Sequence, residues 1–141
     1  IYKEQGRVDE YFDYMAAQGG RFTKSYQDSL SYSSAFDRYT SGNCESSLKD
    51  FANYINKFPN GFFKVQAHYY KAECEYALKK YEEALADYLV VIQSGRSEFL
   101  ERSYRFSANV YFFKKDFENA YKNYNKLETY AQSKENLLAS L

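Results

Sequence analysis

The sequence is poor in residues that interrupt helices. It has one proline, Pro59, and six glycines among 141 residues, and it has no tryptophan. Because proline and glycine most often end helices and form tight turns, their scarcity argues against an all-β chain. The chain has instead 17 tyrosines and 12 phenylalanines in a composition that is 45% hydrophobic. A chain of this length and composition is predicted to be globular and mainly helical.

The sequence has no excess of charge of either sign. Lysine and arginine together number 19, and aspartate and glutamate together also number 19. No global field therefore attracts a polyanion, and we expect neither nucleic acid nor an anionic membrane surface as a partner. The chain also lacks an apolar run of about 18 residues and a charged, then apolar, N-terminal leader, so we expect no direct membrane insertion of this chain.

Residue types that often carry chemistry are scarce as well. Cys44 and Cys74 lie far apart, without the close cysteine or histidine spacing of a zinc site or a redox motif. We expect both to be buried free thiols, and a disulfide between them stays open. His68 is the one histidine, so a histidine-rich metal site is excluded, and we expect this side chain at a helix surface or half-buried.

Motifs of catalysis and cofactor binding are missing too. The chain has no G-x-S-x-G elbow, no phosphate-binding G-x-x-x-x-G-K-[ST] loop and no G-x-G-x-x-G turn. Glu82 and Glu83 follow two lysines, and acids in the first turn of a helix are expected from its dipole, so we interpret them as capping charges. The sequence therefore predicts a protein that is not an enzyme and that uses no cofactor and no metal.

The chain repeats itself with a period of 36 to 37 residues. Aligning Ala84 with Ala120 places Tyr81 on Phe117 and Tyr88 on Tyr124, at a shift of 36 residues. Each unit has two small positions, one in each of two predicted helices. These positions are Ala35, Ala72 and Ala108 in the first helices and Ser47, Ala84 and Ala120 in the second ones. Such a period indicates an array of two-helix units, with residues 8–18 as a degraded copy.

The apolar spacing predicts eight helices with short joints between them. They are expected near residues 7–18, 25–40, 43–57, 62–78, 81–93, 97–113 and 116–131, with one more beginning near residue 134. Pro59 is expected to follow a helix end, because proline cannot continue the helix. Gly6 and Gly42 suit left-handed turns between paired helices. Lysine occupies the corresponding place in later units, so those turns are predicted to close without a left-handed residue.

One small residue in each helix allows the two backbones of a pair to approach to about 8–10 Å. Because a single pair cannot cover its apolar face, neighbouring pairs are expected to stack. The predicted fold is all-α, a right-handed superhelix (solenoid) of antiparallel helix pairs, with about three full repeats and partial units at both ends. The predicted units are a partial N-terminal repeat at 1–24, repeats at 25–61, 62–96 and 97–131, and the start of a truncated helix at 132–141.

The two ends of the sequence favour a piece of a longer protein. The chain starts with Ile1 and stops in "NLLASL", within an apolar helical pattern. We expect Leu137, Leu138 and Leu141 either to cap the last helix pair or to join a second copy. Self-association through the solenoid ends therefore stays an open alternative.

At the repeated positions the sequence resembles the tetratricopeptide repeat (TPR) family, whose units are helical hairpins of about 34 residues with a small-then-aromatic pattern. The resemblance covers residues 25–131 as full units. It rests on Ala72, Tyr81, Ala84, Tyr88, Ala108, Tyr111, Phe117, Ala120, Tyr124, Ala35, Ser47, Phe51 and Pro59. The extended joint in "NKFPNGFFKVQAHYY" is similar to joints of bacterial cell-envelope members, which favours a periplasmic or envelope location over a cytoplasmic one.

One helix departs from the family pattern. His68 and Glu75 occupy places where members usually carry large apolar residues. The inward-facing stripe of this helix is therefore predicted to be Tyr69, Ala72 and Tyr76, which leaves the rotation of the helix open.

The resemblance implies a binding function on the concave surface that is lined by the first helix of each pair. The groove positions carried over are Tyr32, Phe36, Tyr39, Tyr69, Glu73, Tyr76, Arg105, Asn109, Phe112 and Phe113. Tyrosine and arginine concentrate binding energy when a partner covers them, and a short peptide would suit such a groove. With aromatics at 21% of the chain, we expect many of these rings in the core. Tyr69, Glu73, Arg105 and Asn109 are expected to face the ligand.

Some family members hold the terminal carboxylate of a chaperone tail with a clamp of lysines, arginine and asparagines. Tyr32, Phe36 and Phe106 stand where that clamp needs polar or basic groups, and Arg102 is the one compatible position. The expected function is therefore a protein–protein or peptide-binding scaffold of another specificity. The alternative is a structural spacer or dimerisation arm, such as the sensory part of a larger envelope-anchored regulator.

Overall fold

The structure is a computed structural model that describes residues 10, 13, 14 and 24–140. Within this part of the chain the fold is all-α, with six helices and no strand, as the sequence predicts. Gly6, Leu141 and most of the helix predicted at 7–18 lie outside the described residues. The helices are α1 (Lys24–Thr40), α2 (Cys44–Lys57), α3 (Lys64–Ala77), α4 (Tyr81–Gln93), α5 (Leu100–Phe113) and α6 (Phe117–Ala139).

Each helix packs against the helices directly before and after it, and α1 also contacts α3. This order of contacts is consistent with a helical repeat. The small residues of the period are all buried, as predicted. Ala35, Ser47, Ala72, Ala84 and Ala108 are 0% exposed and Ala120 is 2% exposed. Among the described residues, none of the helices combines the length and apolar character that crossing a membrane requires.

The core consists of two clusters that share one side chain. Phe51 and Tyr54 of α2 pack with Ala35 of α1 in the first cluster. Tyr88 of α4 packs with residues of α3 in the second cluster. The ring of Tyr70 packs against both clusters, so the core continues along the order of the helices.

The turns inside the helix pairs have one conformation, and this corrects a prediction. Gly42 has a φ of 83°, and Lys79 and Lys115 both have a φ of 63°. After α3, the N–H of Lys79 donates to Tyr76 at 3.0 Å and the N–H of Lys80 donates to Glu75 at 2.7 Å. These two bonds form the Schellman motif, which needs a left-handed residue. The expectation that lysine turns close without one is wrong, because two satisfied carbonyls offset the strain.

The joint between α2 and α3 is fixed by a buried carboxylate. Asp28 of α1 accepts a hydrogen bond from the Tyr54 hydroxyl at 2.5 Å and one from the N–H of Phe62 at 2.8 Å. The N–H of Phe63 donates to the Tyr54 oxygen at 3.0 Å. A Cβ atom at Gly61 would lie 2.5 Å from that oxygen. The joint therefore packs tightly around Tyr54, and burial raises the pKa of this phenol.

Two predicted helix boundaries differ from the structure by three residues or more. Pro59 follows the end of α2 at Lys57, as predicted, but α5 begins at Leu100 rather than near residue 97. The last helix shows the larger difference, because α6 continues without a break to Ala139. The break predicted between residues 131 and 134 is wrong. The intervening segment contains neither glycine nor proline, and an apolar pattern that changes phase does not by itself end a helix.

Cys44 and Cys74 form a disulfide that joins the start of α2 to the last turn of α3. The expectation of two free thiols is therefore wrong, although Cys74 is fully buried. The two cysteines are separated by 30 positions, and their Cα atoms are 5.2 Å apart. Only the packing of α2 against α3 reveals this proximity, which is why spacing along the chain gave no sign of it.

Candidate functional site

The predicted groove residues of α1 form a ladder of aromatic rings. Phe36 lies between Tyr32 and Tyr39, with ring centroids at 5.9 Å and 6.1 Å. Tyr70 of α3 meets Phe36 at 5.0 Å and Tyr39 at 4.7 Å. These side chains are half-buried. Tyr70 therefore connects the rings of α1 to α3, although it was not among the predicted site residues.

Tyr69, which is predicted to face a ligand, is largely buried in the structure. It is only 6% exposed, and its ring stacks on Phe99 at 4.3 Å. Ala72 is buried in the same cluster, and Tyr76 packs against it, so the predicted inward stripe of α3 is confirmed. This rotation directs Tyr69 into the core and its neighbour Tyr70 towards α1. The two adjacent tyrosines differ by about 100° around the helix, although their rings still contact each other at 5.1 Å.

An ion pair between α3 and α5 lies beside these rings. Glu73 accepts a hydrogen bond from Nη2 of Arg102 at 3.0 Å and another from the Tyr88 hydroxyl at 2.9 Å. The guanidinium carbon of Arg102 lies 4.8 Å from the ring centroid of Phe106, within the range of a cation–π contact. Burial alone would lower the pKa of Arg102, but its bond to Glu73 outweighs that effect and raises it. Glu73 is therefore anchored, while the Arg102 side chain is 49% exposed.

Asn109 connects α5 to α3 of the preceding pair and to α6, its partner in the same pair. Its amide nitrogen lies 3.4 Å from the Tyr76 hydroxyl, and its amide oxygen accepts a hydrogen bond from the Tyr124 hydroxyl at 2.5 Å. The Tyr76 ring in turn packs on Phe106 at 4.7 Å. The Asn109 amide is thus held in one orientation by two tyrosines.

The remaining predicted residues lie at exposed positions of α5. Arg105 is half-exposed, and its Nη2 atom lies 3.9 Å from Oε1 of Glu101. Phe112 and Phe113 are each 53% exposed, and Phe112 contacts Phe117 at 5.4 Å. We use the name aromatic lane for the continuous set of half-buried and exposed side chains on α1, α3 and α5. It consists of Phe36, Tyr39, Tyr70, Glu73, Tyr76, Arg102, Phe106 and Asn109.

A second group of polar side chains lies between α3 and α4. Asp87 accepts from Nδ1 of His68 at 2.6 Å and from Nζ of Lys71 at 2.8 Å. Lys71 also donates to Glu75 at 2.9 Å. Glu75 and Asp87 are only 3% and 6% exposed. We call these four residues the buried charge cluster, and it accounts for the two positions, His68 and Glu75, that depart from the apolar pattern.

The two carboxyl groups of the buried charge cluster have opposite pKa shifts. Burial and the neighbouring Asp87 carboxylate together raise the pKa of Glu75 to about 8, against the lowering effect of Lys71. Burial would also raise the pKa of Asp87, but hydrogen bonds from His68, Glu75 and Lys71 outweigh it and lower the value. The pair therefore holds one proton on Glu75 and one negative charge on Asp87, because two adjacent buried carboxylates do not both ionise readily.

The chemical options of the buried charge cluster are narrow. A histidine–aspartate pair can orient an imidazole as a general base for a nearby hydroxyl or thiol. Within residues 24–140, however, the hydrogen bonds of the His68 ring run only to Asp87. Searched over the described residues, the structure contains no group of three or more acidic, histidine or cysteine side chains that could hold a metal ion. The cluster thus joins α3 to α4 through His68 and Lys71.

Comparisons of this chain with protein-family models, with curated proteins and with solved structures find no match. The resemblance to TPR units therefore rests on the repeat pattern of the sequence alone.

Proposed function

We propose that the chain is a non-catalytic scaffold of TPR type, a right-handed solenoid of helix pairs that binds a protein or peptide along the aromatic lane. Three features support the solenoid. Consecutive helices pack on one another, the small positions of the period are buried, and the left-handed turn residues Gly42, Lys79 and Lys115 recur at shifts of 37 and 36 residues.

The observation that carries the binding proposal is the Glu73–Arg102 pair in the middle of the aromatic lane. An arginine side chain has five N–H donors in a fixed plane. The bond to Glu73 uses one nitrogen of Arg102, and the half-exposed remainder is available to the carbonyl or carboxylate oxygens of a peptide. The stack on Phe106 fixes the plane of the guanidinium, which lowers the entropy cost of binding.

The aromatic side chains on either side would supply the contact area for the peptide. Tyr39 of α1 packs on Tyr70 of α3, and Tyr76 of α3 packs on Phe106 of α5. Each tyrosine offers an apolar ring with a hydroxyl that bonds peptide groups, a combination typical of binding hot spots. An extended or helical peptide crossing α1, α3 and α5 would contact all three.

The disulfide supports a location for this scaffold. Disulfides form and persist in oxidising compartments such as the bacterial periplasm and are rare in the cytosol. The Cys44–Cys74 bond thus favours the periplasmic or envelope location over the cytoplasm.

The binding proposal is tested by selecting peptides of about 12 residues from a random displayed library on the wild-type chain. The affinity of each selected peptide is then measured by fluorescence anisotropy for the wild type and for Arg102→Gln/Asn109→Ala. The matched control is Lys122→Gln/Asn125→Ala, which also replaces one cation by glutamine and one asparagine by alanine, at exposed positions of α6. We expect the lane variant to bind at least about tenfold more weakly and the control to bind as the wild type does.

Two outcomes would contradict the proposal. Equal loss in both variants, or none in either, would place the peptide site outside the aromatic lane. Failure to select any peptide would favour the alternative function, a structural spacer or dimerisation arm. Far-ultraviolet circular dichroism on all three proteins separates these outcomes from loss of the fold.

A further inference from the structure

The second helix of the last pair is much longer than the first. Helix α5 has 14 residues and α6 has 23, and the short turn at 114–116 makes them run antiparallel. At 1.5 Å per residue their lengths are about 21 Å and 35 Å. About nine residues of α6 therefore extend past the start of α5 at Leu100, and this extension has no counterpart in the two earlier pairs.

The start of α5 and the second half of α6 enclose an apolar groove of about 510 Å³. Leu100 and Tyr104 line it from α5, and Tyr130 and Leu137 line it from α6. The α6 residues are seven positions apart, so they lie on one face of the helix. Leu137 is 64% exposed, and the groove is open to solvent on one side. We call this site the end groove.

Cations surround the end groove, and none of the residues that line it is acidic. Arg96 lies in the loop before α5, and Lys126 and Lys134 lie on α6 on either side of Tyr130. Lys134 has a carboxylate nearby, that of Glu101 at 3.8 Å. The chain as a whole has 19 basic and 19 acidic residues. Three cations beside one apolar groove are therefore a local property of this site.

We infer that the end groove binds an amphipathic helix of a partner protein whose apolar stripe is flanked by carboxylates. Lys126 and Leu137 are 11 positions apart, so the lined part of α6 is about 16 Å long, or three helical turns. An open groove between two helices suits the apolar face of a third helix, and the cations suit acids beside that face. Acidic residues on the partner would also discriminate against basic amphipathic helices.

The end groove is distinct from the aromatic lane. On α5 the groove uses Leu100 and Tyr104, whereas the lane uses Arg102, Phe106 and Asn109. Positions 104 and 102 differ by two residues, which is about 200° around a helix, so the two sites lie on different sides of α5. A partner helix at the end groove would thus bind whether or not the aromatic lane holds a peptide.

The probe for this inference is a synthetic helical peptide of about 16 residues, with leucines at i, i+4, i+7 and i+11 and glutamates on both sides of that stripe. Its binding to the full chain is followed by fluorescence anisotropy. The matched probe replaces every glutamate by lysine and keeps the leucines. We expect the glutamate peptide to bind at least about tenfold more tightly, with an advantage that shrinks as salt rises from 50 mM to about 500 mM.

Two variants locate the bound peptide. Arg96→Gln/Lys126→Gln removes two cations of the end groove, and we expect about two- to fivefold weaker binding for each cation lost. Lys115→Gln/Lys122→Gln removes two exposed cations outside the groove and should bind as the wild type does. Leu137→Ser tests the apolar part and should weaken both peptides alike. All of these side chains are exposed or lie at the rim, and circular dichroism checks that the variants stay helical.

Several results would overturn the inference. Equal affinity for the two peptides would show that the cations do not choose the partner, and unchanged binding to Arg96→Gln/Lys126→Gln would place the peptide elsewhere. Binding of laurate without binding of either peptide would indicate a small anionic amphiphile as the occupant. A dimer in light scattering that Leu137→Ser abolishes, with no peptide bound by the wild type, would indicate a second copy of the chain.

Discussion

Lys79 and Lys115 have the same left-handed backbone conformation, with φ at 63°, and they lie 36 residues apart. Each ends the first helix of its pair, at the place that Gly42 occupies with φ at 83° in the preceding pair. The backbone hydrogen bonds are also equivalent, since the N–H groups of Gly42, Lys79 and Lys115 all donate three residues back. The turn geometry is thus common to the three pairs, although the residue type is not.

Replacing either lysine by glycine is expected to stabilise the chain. A non-glycine residue in this region is strained by about 1–2 kcal/mol, and glycine removes that strain. Part of the resulting stabilisation is offset by the greater freedom of glycine in the unfolded chain. We expect Lys79→Gly to raise the free energy of unfolding by about 0.5–1 kcal/mol, as measured by urea denaturation. The reverse change, Gly42→Ala, should lower it by a similar amount, because a Cβ there meets no atom and only the backbone strain acts. A stabilising Gly42→Ala would contradict this account.

Ala84 tests the close packing of a helix pair. It is 0% exposed and belongs to the cluster that contains Ala72 and Tyr88. Leucine at this position would overpack α3 against α4, and we expect Ala84→Leu to lower the free energy of unfolding by about 1–3 kcal/mol. Ala86→Leu is the matched control, since Ala86 lies exposed on the same helix and its change should be small. Equal thermal midpoints for the two variants would show that Ala84 is not at a close approach.

The helices could be predicted from the sequence because burial requires apolar and small side chains at regular intervals. Ala35, Ala72 and Ala108 fall on buried sites for this reason. The conformation of Lys79 could not be predicted in this way. Backbone hydrogen bonds determine that turn, and they do not depend on the side chain. The full length of helix α6 was also not predicted. It continues to Ala139 because its sequence contains no residue that ends a helix.

The candidate site was only partly predictable. Glu73 and Asn109 lie among the side chains of the aromatic lane, and their role in binding stays a prediction. The sequence predicted Tyr69 for this site, whereas its neighbour Tyr70 lies in the aromatic lane. Adjacent residues differ by about 100° around a helix, so a small error in the helix rotation selects the wrong one of the two. Contacts between different helices, such as Arg102 with Glu73 or Cys44 with Cys74, depend on packing that a single sequence does not reveal.

The buried charge cluster predicts a dependence of stability on pH. The pKa of Glu75 is raised from an ordinary value of 4.5 to about 8 in the folded protein. The folded chain therefore holds this proton more tightly than the unfolded chain, and the stabilisation that the proton gives is complete below pH 4.5 and is lost as pH rises through 8. The free energy of unfolding should fall between pH 5 and 8, at most by about 1.4 kcal/mol per pH unit.

Glu75→Gln separates this effect from other titrations. The amide stays neutral at every pH and carries N–H groups that can donate to Asp87, so the variant should be more stable than the wild type at pH 9 and should lack the slope between pH 5 and 8. Asp87 has a lowered pKa, so its stabilisation is lost only at acid pH, below this window. Glu83→Gln, at an exposed carboxyl of α4, is the control and should keep the wild-type slope. Parallel curves for wild type and Glu75→Gln would contradict the assignment to Glu75.

The disulfide is expected to be a major source of stability. It closes a loop across 30 positions that includes the joint between α2 and α3, so reduction frees this segment in the unfolded chain. The chain-entropy relation for a loop of this length gives about 3–4 kcal/mol. We expect dithiothreitol to lower the free energy of unfolding of the wild type by roughly that amount. Cys44→Ala/Cys74→Ala should have about the same free energy of unfolding as the reduced wild type, and dithiothreitol should not change it. A thiol assay in denaturant provides the direct check, because two free thiols in the untreated protein would contradict the bond itself.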